Sequence, residues 1–118
     1  MRIFIVAAVM LSATAAIADE VDDAHRLAIK GRDTYWSCLA QEYSQDSNKN
    51  MSGSDFTSHI ADVCPSERQN FRVSLVDYLS RQFPSVDAGD PMTTANKAIA
   101  MAQKDVVTAF IKHKQASK

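Results

Sequence analysis

Cys38 and Cys64 carry the most definite chemistry in the chain, and 26 positions separate them. No CxxC redox pair or CxxCH haem-attachment sequence surrounds either one, and two cysteines alone do not complete a Cys-rich zinc site. In an oxidising compartment they are expected to pair as a single structural disulfide. For a loop of this length the chain-entropy model gives roughly 3 to 4 kcal/mol of stabilisation. A cystine holds no thiolate, so the pairing also withdraws the two best nucleophiles. His25, His59 and His113 remain, with serines and acids around them, but no GxSxG, HExxH or GxxxxGK(S/T) pattern organises them. Enzyme activity is not expected. Helical bundles do hold metals and haem between facing helices. If the last helix ends beside the start of the first, His25, with Asp22 nearby, meets His113, although Lys112 and Lys114 would oppose a cation there.

A second candidate lies in the polar stretch Ser44 to Ser54, where Asp46, Asn48 and Asn50 alternate between two helical segments. This spacing resembles the first half of an EF-hand calcium loop, in which oxygen ligands recur at alternate positions, and Ser54 stands at the ninth. Met51 replaces the glycine of the sharp turn and Thr57 the bidentate glutamate, so a solvated loop is expected, with no metal. Asn50-Met51-Ser52 is also a formal glycosylation sequon. Tyr35 and Trp36 place two large rings within one turn before Cys38, and Tyr43 follows. Tyr35 falls on the apolar stripe; Trp36 lies about 100° round the helix. The three are the candidate partner-binding residues, because Trp and Tyr often anchor interfaces.

These residues need elements to position them, and the first 18 residues are set aside before any are assigned. Met1-Arg2, the apolar run Ile3 to Leu11 and the small-x-small Ala16-Ile17-Ala18 have the layout of a secretory signal peptide. Residues 19–118 would then form one exported domain, periplasmic in a Gram-negative bacterium, with no membrane insertion after cleavage. The full chain has 118 residues and a net charge of −1. Near-neutrality gives no electrostatic case for nucleic acid or an anionic membrane as partner.

Apolar and small residues at Val21, Ala24, Ala28, Gly31, Tyr35 and Cys38, with Leu27 and Leu39 beside them, predict a helix from Asp22 to Tyr43. Asp19, Glu20, Asp22 and Asp23 would face its dipole at the start. Ser54 is expected to cap a short helix bearing Phe56, Ile60, Val63 and Cys64, which Pro65 interrupts. A longer helix follows to Phe83 with Phe71, Leu75, Tyr78, Leu79 and Phe83 inward. Asp90-Pro91 opens the last, with Met92, Ala95, Ile99, Ala102, Val106, Ala109 or Phe110, and His113 on one face. The fold expected is all-α, a small antiparallel bundle of three long helices and one short one, with a Cys38–Cys64 disulfide.

Small, exported, helical, with two cysteines and Trp36-Ser37-Cys38 at the first of them, the chain resembles the acid-stress periplasmic chaperones, whose cysteines stand further apart. That resemblance implies protonation of acids such as Asp22, Asp23 and Glu42, which loosens the bundle and exposes apolar faces. The reading from the residues themselves is a small exported helical protein that binds an unidentified protein partner without catalysis. A chaperone of that type and a metal- or haem-binding bundle are the alternatives.

Overall fold

The computed structural model describes residues 2–87 and 89–116, with side-chain surroundings from residue 18 onward. Four α-helices follow one another: α1 (Arg2–Ser44), α2 (Gly53–Asp62), α3 (Pro65–Gln82) and α4 (Gly89–Ala116). A short 3-10 turn, Asp46–Asn48, sits between α1 and α2. This is the expected all-α bundle, one helix short and three long.

The helix ends correct the sequence reading in three places. α1 begins at Arg2, not Asp22, because no glycine precedes Gly31 and no proline precedes Pro65 to stop it. The acids from Asp19 to Asp23 therefore lie inside the helix. α2 is capped by Ser52, not Ser54: its Oγ accepts the Asp55 backbone N–H at 3.0 Å. α4 starts at Gly89, two residues before Pro91, so that Asp90 lies in its first turn and does not cap it. The break at Pro65 stands where expected, with proline opening α3. The proposed leader lies, except for Ala18, outside the residues whose side chains are described.

Contacts down the molecule fix the topology. Against α1, successive α2–α3 residues meet ever earlier partners: His59 with Glu42, Cys64 with Cys38, Phe71 with Tyr35, Tyr78 with His25 and Arg81 with Glu20. Against α4 the order is likewise reversed, from Phe56 with Phe110 to Arg72 with Asn96. Together α2 and α3 form one broken arm antiparallel to both neighbours. α4 then runs parallel to α1, pairing Gln103 with Tyr35 and His113 with Tyr43. The end of α4 thus lies beside the end of α1, not its beginning. Counting α2 as a separate return stroke led to the opposite expectation; the Pro65 joint breaks the helix without reversing the chain.

Tyr35, Leu39, Phe56 and Ile60 are fully buried, and Phe71, Ile99, Ala102, Val106 and Phe110 complete the core around them. Each large side chain removed from water contributes about 1.5 to 3 kcal/mol. α1 crosses α3 closely at Gly31, where an added Cβ would stand 2.9 Å from Ser74 Oγ and 3.1 Å from Phe71 Cα. Three apolar residues expected inward are exposed instead, Leu27 at 59%, Phe83 at 51% and Met92 at 44%, and so is His113. Leu27 lies at the rim of the α1–α3 groove, and Phe83 and Met92 flank the turn between α3 and α4, beyond the packed layers.

Candidate functional site

The most constrained point in the chain is the joint between α2 and α3. Val63 is extended, Cys64 is left-handed at φ 57°, ψ 47°, and Pro65 begins α3. Among the described residues Cys64 is the one non-glycine with positive φ. That conformation costs an L-residue about 1 to 2 kcal/mol, and a following proline narrows the choice further. Two devices hold it. The disulfide ties Cys64 to Cys38 with Cα atoms 6.2 Å apart, inside the ordinary range. Arg68 reaches back across the joint, its Nη1 donating to Ala61 O at 2.7 Å and Val63 O at 3.1 Å. Those are carbonyls that the end of α2 leaves without helical partners. Glu67 brings a carboxylate within 4.8 Å of both sulfurs. With the sulfurs bonded to each other they carry no thiolate charge, and the cluster has only one good metal donor.

Beside the joint lies a polar cluster that the sequence did not suggest. Asn48 is buried, and its Nδ2 donates to Glu42 O at 2.8 Å and Glu42 Oε2 at 3.1 Å. The same carboxylate oxygen lies 2.9 Å from His59 Nε2. Glu42 thus joins α1, the turn and α2 through one side chain, and among the described residues no buried side-chain nitrogen or oxygen lacks a partner. Sequence alone offers no signal for this, since the partners stand 6 and 17 positions away in chain segments of unrelated pattern. The calcium-like residues are engaged otherwise. Asn48 turns its amide to Glu42 and is not solvated as expected, and Asp46 pairs with Lys49 at 2.9 Å. The Lys49 hydrogen bond and charge hold the Asp46 carboxyl below its ordinary range.

The candidate partner-binding aromatics divide. Tyr35 is wholly inside, its OH accepting from Gln103 Nε2 at 3.0 Å and its ring 6.3 Å from Phe71. Trp36 and Tyr43 are half-buried at the edge of the core. Of the histidines, His25 lies against Tyr78 at 4.7 Å, whereas His113 lies against Tyr43 at 5.8 Å. Because α4 runs parallel to α1, these two histidines sit at different levels of the bundle, roughly 27 Å apart along α1 as measured between His25 and Tyr43. The expected His25–His113 pair does not form.

Exposed large apolar side chains concentrate at the α3–α4 turn, where Phe83, Val86 and Met92 fall within ten residues. Among the described residues no helix is long and apolar enough to cross a membrane. Compared with models of protein families, with curated proteins and with solved structures, the chain matches none. The likeness to acid-stress chaperones accordingly rests on Trp36-Ser37-Cys38 and the general build.

Proposed function

We propose that the chain is a small exported helical protein that acts by binding a protein partner and not by catalysis. The Cys38–Cys64 bridge carries this reading, because a crosslink that secures a strained joint suits an oxidising compartment. The leader-like first 18 residues point the same way. The exposed Phe83, Val86 and Met92, with the half-buried Trp36 and Tyr43, supply apolar surface for a partner. Material recovered from its natural location tests the proposal. Amino-terminal sequencing should begin at Asp19 and thiol counting should find no free group; an uncut chain with two free thiols overturns it.

A second reading, an acid-responsive chaperone, draws on the ion pairs at one end of the bundle. Arg81 joins Glu20 of α1 at 3.2 Å and Asp77 of α3 at 3.1 Å. Protonating Glu20 would remove the pair that crosses from α3 to α1, which contributes at most about 1 kcal/mol, and so loosen the two helices beside Ala24 and Ala28. Apolar-dye binding measured from about pH 7 to about pH 2 decides it. A rise with acid, together with protection of an aggregating client, supports the reading, and a flat curve removes it.

A further inference from the structure

Where α1 and α4 finish side by side, a cavity of about 460 Å³ opens between them, lined by Tyr43, Ser44, Lys49, Phe110, His113 and Lys114. Its size falls among small-molecule sites, which run from roughly 300 to 1,000 Å³. We propose that this cavity binds a small planar aromatic anion, of the aromatic carboxylate class.

The aromatic part of the assignment rests on the walls. Phe110 is buried and stacked on Phe56, ring centroids 3.8 Å apart and planes 10° from parallel. Tyr43 and His113 meet as a tilted pair at 5.8 Å. The Tyr43–His113 pair, already fixed by its packing, offers ring surface to a flat guest without further ordering, while Phe110, with Phe56 on one face and Lys114 over the ring, backs the cavity.

The charge follows from what lines the cavity and what does not. Among the described residues two lysines and a histidine border it, and no aspartate or glutamate does. Lys114 donates to Met51 O and stands 5.9 Å above the Phe110 ring, so a cationic guest would find that ring already occupied by a like charge. The carbonyl ends of α1 and α4 act in the opposite sense, each equivalent to about half a negative charge. The Asp46 carboxylate beside Lys49 adds a further negative charge, so the preference for an anion rests on Lys114, whose hydrogen bond goes to a neutral carbonyl and leaves its charge uncompensated. Lys49 and its partner Asp46 are both exposed, so the Lys49 ammonium can turn to a guest carboxylate at little cost.

The test uses the oxidised full-length chain and three probes of one shape: naphthalene-2-carboxylate, the neutral naphthalene-2-carboxamide and the cationic 2-naphthylmethylamine. Nuclear magnetic resonance titration should show saturable carboxylate binding with shifts centred on Tyr43, Phe110 and Lys114. The amide should bind more weakly and the amine weakest. The double variant Lys49→Ala/Lys114→Ala, whose folding is checked by its unperturbed core resonances, should weaken carboxylate binding by roughly five- to tenfold, while Lys30→Ala leaves it unchanged. Carboxylate shifts that do not saturate or that map elsewhere overturn the site. Amine binding as tight as carboxylate binding, or a double variant that binds like the parent, overturns the charge assignment. Export and thiol status do not enter this readout, so its outcome is separate from that of the proposed function.

Discussion

At Cys64 one backbone torsion decides how the molecule turns from α2 into α3. Glycine reaches that left-handed conformation freely and alanine does not. With the bridge removed by Cys38→Ala, Cys64→Gly should therefore be more stable than Cys64→Ala by about 1 kcal/mol in urea unfolding. Equal midpoints would mean that the conformation is not retained without the bridge. Asp46 gives a second prediction at this scale. Its carboxyl is lowered first by the hydrogen bond from Lys49 and then by that residue's charge. A lowered acid favours the folded turn above the unfolded-state pKa, and this contribution is lost as pH falls through the folded-state value. Lys49, raised by the same pair, favours the turn below its unfolded-state pKa and loses that contribution as pH climbs through its folded-state value. In Lys49→Ala, the Asp46 titration followed by carbon resonance should move upward toward its ordinary value of 3.8. An unchanged midpoint would remove the pair as the cause.

Between helices, Gly31 is the contact that tolerates least. In an isolated helix Gly31→Ala would gain about 1 kcal/mol. Here the new methyl meets the Phe71 backbone at 3.1 Å, and α3 must shift outward. Overpacking of this kind costs about 1 to 3 kcal/mol, so the variant should melt below the parent by several degrees, and a higher melting temperature would contradict the close crossing. This contact was legible in advance, because a glycine on the apolar stripe of a long helix carries a propensity cost that a close crossing offsets. The stripes at Ala24, Ala28, Tyr35 and Leu39, and at Ala95, Ile99, Ala102, Val106 and Phe110, were legible for the same reason: periodicity reports the buried face directly. Phe83 and Met92 misled because periodicity continues past the last turn that has a neighbour. The direction of α3, which continues that of α2, and the Glu42–Asn48–His59 cluster were not legible at all. The first depends on the angle at a single left-handed residue and the second on partners 6 and 17 positions apart, and local pattern carries no record of either.

For the molecule as a whole, the crosslink joins the arm to α1 at Cys38, within the last two turns of that helix. Cys38→Ala/Cys64→Ala should lose roughly 2 to 5 kcal/mol, a large share of the 5 to 15 kcal/mol of an ordinary domain. Thermal unfolding by circular dichroism should show a fall of about 10 °C or more, with the helical signal below the transition largely preserved. A melt unchanged by the double substitution would show that the joint is secured by Arg68 and packing alone. α2 is the element this loss should affect first, because it is the shortest α-helix and buries only Phe56 and Ile60 in the core.

The unbroken run of α1 through Ala18 bears on the order of events in the life of the chain. While the first 18 residues are attached, Asp19, Glu20, Asp22 and Asp23 sit in mid-helix, three and four apart, where they repel one another. Removing that segment would turn the same four acids into the opening turn of a helix, where the partial positive charge of free amide groups attracts them. Under the proposed cleavage before Asp19, the trimmed helix would therefore open on an acidic turn that its precursor lacks.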